Sequence, residues 1–160
     1  MQSNRGMFLE KIINNTIDYF WSCNIAFIEK KSLPISFYSV KTINNKKVLS
    51  NSYISKKSTV DYIGMYKGKF ICFEAKSTND KFLEKQNFQK HQLDYLDLID
   101  KNNGISFVIV YFSLYNVFLK VNIQLLLNEF NNCSRIPYEK LKKNSKLLIL
   151  EFPGYINFLN

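Results

Sequence analysis

Residues 105–112, Ile-Ser-Phe-Val-Ile-Val-Tyr-Phe, form an uncharged run far shorter than the roughly 20 apolar residues a membrane span needs. Such a run reads as a buried β-strand, and a buried strand needs a sheet around it. The next segment, Leu-Tyr-Asn-Val-Phe-Leu-Lys-Val at 114–121, follows closely enough to be its hairpin partner.

The rest of the chain supplies the remaining elements. Leu9, Ile12, Ile13, Ile17 and Phe20 make a helical stripe within residues 6–21. Segments 24–30 and 33–40 are strand-like, and 41–48 carries Asn44-Asn45 at a hairpin tip, because Asn tolerates positive φ. Segment 48–55 returns from that tip. Residues 58–76 read as two strands turned near Tyr-Lys-Gly-Lys, with Gly68 as the breaker. A helix is expected over 84–102, capped by Gly104. Short helices at 122–130 and after Pro137, then a strand over 146–152, complete one compact unit of 160 residues without repeats or linkers. The predicted fold class is α/β or α+β, with a central mixed sheet.

Hydrophobic residues are 46% of the chain and aromatics 16%, enough for a packed core. Cys23, Cys72 and Cys133 are odd in number and lack CxxC spacing, which argues against a disulfide framework and a zinc site. The first residues show no apolar core followed by a small-residue cleavage site. A reducing cytoplasm is the expected location. The net charge is +9, and its placement is uneven: Lys30 to Val60 holds seven lysines (30, 31, 41, 46, 47, 56 and 57) and no acid. Such a segment is either a solvated basic surface or an arm that binds a polyanion such as a phosphate backbone.

The hairpin at 58–76 carries charges where isolated charges are costly. Alternation puts Ile71, Phe73 and Ala75 on the core face, with Cys72, Glu74 and Lys76 opposite. Asp61, on the preceding strand, can pair within a few ångströms of Glu74. Two carboxylates and a lysine converging in this way match a metal-dependent phosphodiesterase site. The carboxylates suit hard Mg²⁺, and the lysine suits a developing phosphate charge. The bare D-x(n)-E-x-K pattern also fits a hairpin with a surface salt bridge. Gln92 falls inside the apolar stripe of Phe88, Tyr95, Leu96 and Ile99, and so needs a partner; a metal, its bound water or backbone would each serve. Glu10 lies one turn after Gly6, and the first helix can bring Arg5 and Glu10 to the same cleft; Glu10 also fits an ordinary solvent-facing helix position. His91 is the only histidine and is read as a helix-surface or DNA-facing residue. The chain shows neither a Ser/His nucleophile set nor a glycine-rich phosphate loop.

Six segments in order, namely 4–16 (NRGMFLEKIINNT), 33–35 (LPI), 53–78 (YISKKSTVDYIGMYKGKFICFEAKST), 87–92 (NFQKHQ), 104–112 (GISFVIVYF) and 135–143 (RIPYEKLKK), resemble RecU-type Holliday junction resolvases, members of the PD-(D/E)xK nuclease superfamily. The resemblance implies one nuclease domain over 1–160 with a restriction-endonuclease-like core and a protruding β-hairpin stalk at about 40–57. It implies a homodimer that nicks two opposed strands of a four-way DNA junction with Mg²⁺ or Mn²⁺, in company with recombinase and branch-migration proteins. It matches metal ligands to Thr59, Asp61, Glu74 and Gln92, and the lysine that stabilises the transition state to Lys76; Glu10 is an auxiliary candidate only from its place on the first helix. Arg5 and Lys41, Lys46, Lys47, Lys56 and Lys57 become candidate DNA contacts. The family's usual STTDYNG is STVDYIG here, and Ser77 stands where an acid often follows the lysine. Two other readings are a related nuclease acting on linear duplex and a junction-binding accessory protein without catalysis.

Overall fold

In the computed structural model, which describes residues 3–56 and 59–159 and side chains from residue 6 onward, the N-terminal stripe becomes helix α1 (Ser3–Ser22). Leu9, Ile12, Ile13 and Phe20 are buried along one side of it. Asn24 takes a left-handed backbone (φ 54°) and the chain enters β1 (Phe27–Lys30). Four short strands follow: β2 (Ile35–Ser36), β3 (Ser39–Ile43), β4 (Lys46–Ser50) and β5 (Tyr53–Ile54). Asn44 and Asn45, with φ of 50° and 59°, form the expected tip between β3 and β4. β2 pairs with β5 and β3 with β4, as two small ladders apart from the main sheet.

The charged hairpin is β6 (Tyr62–Tyr66) and β7 (Lys69–Thr78), turned at Lys67 (φ 48°) and Gly68 (φ 75°). After it come β8 (Phe82–Glu84), a 3₁₀ turn at Lys85–Asn87 and α2 (Lys90–Lys101). β9 (Ile105–Phe112) and β10 (Val117–Asn122) form the second hairpin. The chain closes with α3 (Ile123–Asn132), β11 (Arg135–Pro137), α4 (Tyr138–Asn144), β12 (Lys146–Leu148), β13 (Leu150–Glu151) and β14 (Tyr155–Ile156). Asn122 caps α3 by accepting from the backbone N–H groups of Gln124 and Leu125.

The main sheet runs β1-β6-β7-β9-β10-β12. Only β7 and β9 are parallel, and α2 is the crossover between them. One face carries α1 and the C-terminal segment over Ile71, Phe73, Phe107, Ile109 and Phe158. The other carries α2, α3 and α4 over Cys72, Val108, Val110 and Leu119. The expectation of a single core face on β7 is therefore corrected. A central strand with both sides covered is apolar on both sides, and Cys72 is as fully buried as Ile71 and Phe73.

Four boundaries also differ from expectation. The helix expected from 84 begins only at Lys90, because Phe82–Glu84 pairs with Arg135–Pro137. Arg135 Nε lies 2.8 Å from Glu84 Oε1 across that ladder, and Leu83 is fully buried. The left-handed residue that ends α2 is Asn103 (φ 62°), not Gly104. Gly104 is needed for a close approach instead, since a Cβ there would sit 2.4 Å from Ile99 Cγ2. The strand expected over 146–152 breaks after Leu148, which is the end of its pairing with β10. Asp61 stands one residue before β6 rather than within it.

Candidate active site

The main-chain register of the β6–β7 hairpin ends at Tyr62 opposite Phe73. Beyond it the ladder continues through side chains. Asp61 N–H donates to Glu74 Oε2 (3.2 Å), and Ala75 N–H donates to Asp61 Oδ2 (3.0 Å). Each carboxylate is thus held against the backbone of the opposite strand, which fixes both more tightly than a loop would. Lys76 Nζ donates to Glu74 Oε1 at 2.7 Å, and Gln92 Nε2 donates to the same oxygen at 2.6 Å. Gln92 Oε1 accepts from Gln89 N–H (3.0 Å), closing a capping box at the start of α2. The polar residue in the sheet-facing stripe therefore finds Glu74 as its partner.

Glu74 is 1% exposed. Burial, then the charge of Asp61, push its carboxyl up to about 7 against the opposing pull of Lys76. Two carboxylates sharing a poorly solvated site are costly without a compensating cation. Among the described residues no cluster of three or more His, Cys, Asp or Glu is present. The donors here are the carboxylate oxygens of Asp61 and Glu74; the Gln92 amide oxygen accepts from Gln89 N–H and the Thr59 hydroxyl from Lys31 in this structure. That set fits a hard divalent cation such as Mg²⁺ or Mn²⁺.

Thr59 is reached by Lys31, whose Nζ donates to Thr59 Oγ1 at 2.7 Å. Lys31 N–H also donates to Asp61 O (2.7 Å), extending the β1–β6 pairing to the edge of the site. Glu10 forms an ion pair with Lys30 at 2.5 Å. Both line a cavity of about 190 Å³ together with Asp61, Tyr62, Ala75 and Ser77. A second cavity, of about 450 Å³, opens on the side of Lys76, Ser77, Thr78 and Asn79. Tyr62 is 1% exposed, and burial, then Glu10 and Asp61, push its phenol upward.

The remaining candidates lie elsewhere. Lys41, Lys46 and Lys47 are exposed on the β3–β4 ladder, and Lys56 is exposed after β5. None of these four lines either cavity. The Arg5 side chain and Lys57 lie outside the described residues. His91 is half-buried on α2. Sequence reasoning missed Lys30, Lys31, Tyr62 and Ser77 as members of this site. The basic run contained both lysines, but only the pairing of β1 with β6 distinguishes them from the other five.

A mixed sheet with an Asp, a Glu and a Lys gathered at the end of its central hairpin defines a class, the nuclease-type α/β fold with a carboxylate–lysine site. The fold matches that of Hjc from Archaeoglobus fulgidus, a Holliday junction resolvase from an archaeal hyperthermophile. The TM-score is 0.51 over 84% of this chain and 92% of that one, at 9% identity, a likeness of fold alone. The family model for RecU, recombination protein U, matches residues 4–160, and the chain belongs to that family. It is 39% identical to the Holliday junction resolvase RecU of Mycoplasmopsis pulmonis over 99% of this chain and 94% of that protein. The protein of the same name from Ureaplasma parvum is 42% identical over 97% of this chain and 89% of its own length. That from Bacillus cereus strain B4264 is 35% identical over 98% and 82%.

Proposed function

We propose that the protein is a Holliday junction resolvase, an endonuclease that nicks two opposed strands of a four-way DNA junction in recombination and repair. The observation that carries this reading is the meeting of Asp61, Glu74 and Lys76 at one end of the sheet in a chain of the recombination protein U family.

Asp61 and Glu74, with Thr59 and Gln92, are the residues that would hold Mg²⁺ or Mn²⁺; when bound, such an ion neutralises phosphate charge and acidifies water. The chain's own groups do the rest. The backbone bonds between Asp61 and the β7 strand keep the carboxylates in place through the reaction. Lys76, anchored on Glu74, brings a positive charge to the phosphate as negative charge builds. Gln92 holds Glu74 from the helix side. The exposed lysines of the β3–β4 ladder, with Arg5, contact DNA phosphates and so respond to junction shape rather than base sequence.

Paired nicks on opposed strands call for two such sites, so the working form is a homodimer with both ladders at the junction centre. Recombinase and branch-migration proteins are the partners this role implies. Among the described residues no helix is long and apolar enough to cross a membrane. With three free cysteines, the reading places the chain in a reducing cytoplasm.

The test is a nicking assay comparing a synthetic four-way junction with a linear duplex of the same arms, in Mg²⁺ and in EDTA. Symmetric, metal-dependent nicks on the junction alone are expected. Junction binding without nicks under any metal would make the protein an accessory binder, and equal cutting of the duplex would make it a general nuclease.

A further inference from the structure

Tyr62 is held harder than a residue at the mouth of a site needs to be. Its ring stacks on Phe73 at 4.7 Å with an interplanar angle of 9°, and Phe73 stacks on Phe107 at 4.9 Å and 10°. This column runs across β6, β7 and β9 beneath α1, so the ring cannot swing its hydroxyl out to solvent. That hydroxyl is buried and has no hydrogen-bond partner among the described residues. Buried polar groups are almost always bonded, and the exceptions mark a site where something else belongs. The residue lines the cavity of about 190 Å³ that also touches Glu10, Lys30 and Asp61. Lys30 is its direct cross-strand neighbour, which puts both side chains on the same face.

We propose that Tyr62 is a positioning residue, whose hydroxyl and Glu10 together hold a water in this cavity that orients the Asp61 carboxylate for its divalent cation. The cavity has room for such a water, which takes up about 30 Å³, and it offers the two to four polar partners one requires. The phenol donates to the water, and the water donates on to Asp61 and Glu10. Asp61 Oδ2 is held by the Ala75 N–H, and the water supplies the support on the side facing α1. Residues one step behind a metal ligand commonly tune affinity about 10- to 100-fold.

The inference rests on the metal-dependent reading above, and its test separates the two. Thermal unfolding of the full chain without DNA, titrated with Mg²⁺, gives a Kd for wild type, Tyr62→Phe, Glu10→Gln and Asp61→Asn. Tyr62→Phe keeps the ring column and loses only its bond to the water, so it is expected to stay folded and melt close to wild type in EDTA. Its Kd for Mg²⁺ is expected to rise about tenfold, with a rise of similar size for Glu10→Gln and loss of the Mg²⁺ response for Asp61→Asn. Wild-type Mg²⁺ affinity in Tyr62→Phe, with the response lost in Asp61→Asn, overturns the role of Tyr62 and leaves the metal site standing. A wild type that ignores Mg²⁺ overturns the metal reading, and this inference with it.

Discussion

The β6–β7 hairpin and the β3–β4 ladder are both two-stranded turns of one chain, built on opposite terms. The first lies between β1 and β9 in a six-stranded sheet, covered on both faces, with its carboxylates bonded to the opposite strand's backbone. In the second, every residue of β3 and β4 is exposed except Ser50, which is half-buried. It leaves Val40, Ile43, Val48 and Leu49 in the open, and an isolated two-stranded hairpin is marginal in water. It carries lysines and no acid. Where atoms must be placed to a fraction of an ångström, the chain uses a buried ladder. The role proposed for the exposed one is to grip a charged, irregular surface.

The sharpest way to break this division is Asp61→Asn. Cleavage of a junction is expected to fall by about 10³-fold or more, while junction affinity stays near wild type, both read from one gel-shift and nicking series. Next in size is the replacement of Lys41, Lys46, Lys47 and Lys56 by Ala. If each contacts one phosphate, the slope of log affinity against log salt flattens by about 3 to 4, at roughly 0.9 per contact. An unchanged slope would make the ladder's charge incidental.

Protonation of Glu74 gives a subtler check. Its folded-state carboxyl stands at about 7, above the ordinary 4.5. Between those values the folded chain keeps a proton that the unfolded chain has released, so the metal-free protein loses stability as pH rises through that window. Mg²⁺ must displace the same proton, so its affinity is expected to climb with pH to about 7 and then level off. Asp61→Asn removes the one charge that raises Glu74, and the stability transition should move to lower pH. The smallest contrast is in packing. Ile109→Val in the buried sheet should cost about 0.5–1.5 kcal/mol in denaturant unfolding, while Val40→Thr on the open ladder should stay within about 0.5 kcal/mol. Equal costs would mean that a partner surface covers the ladder in solution.

The parts of the fold legible in the sequence were those set by neighbours along the chain. The left-handed tip at Asn44-Asn45, the stripe of α1 and the approach of Asp61 to Glu74 all follow from local geometry or from a single hairpin. Gln92 could be singled out because a polar residue in an apolar stripe must be bonded, although its partner could not be named. What escaped was long-range pairing. Glu84 falls at the start of the expected helix and belongs to a strand only because Arg135–Pro137 arrives beside Phe82–Glu84. Lys31 reaches Thr59, and Lys30 reaches Glu10, only once β1 has joined β6 and α1 has packed across them. The Tyr62 hydroxyl is no different in sequence from nine other tyrosines; its isolation appears only when the aromatic column and the cavity are built.

One measurement tests the division of labour most directly. Single-turnover nicking of a four-way junction in Mg²⁺, with each protein at a concentration that saturates binding, would compare wild type, Asp61→Asn and the variant with Ala at Lys41, Lys46, Lys47 and Lys56. The lysine variant, once bound, is expected to cut at a rate close to wild type, and Asp61→Asn, fully bound, is expected not to cut. If the saturated lysine variant is as dead as Asp61→Asn, or Asp61→Asn still cuts, chemistry and grip are not divided between these two hairpins.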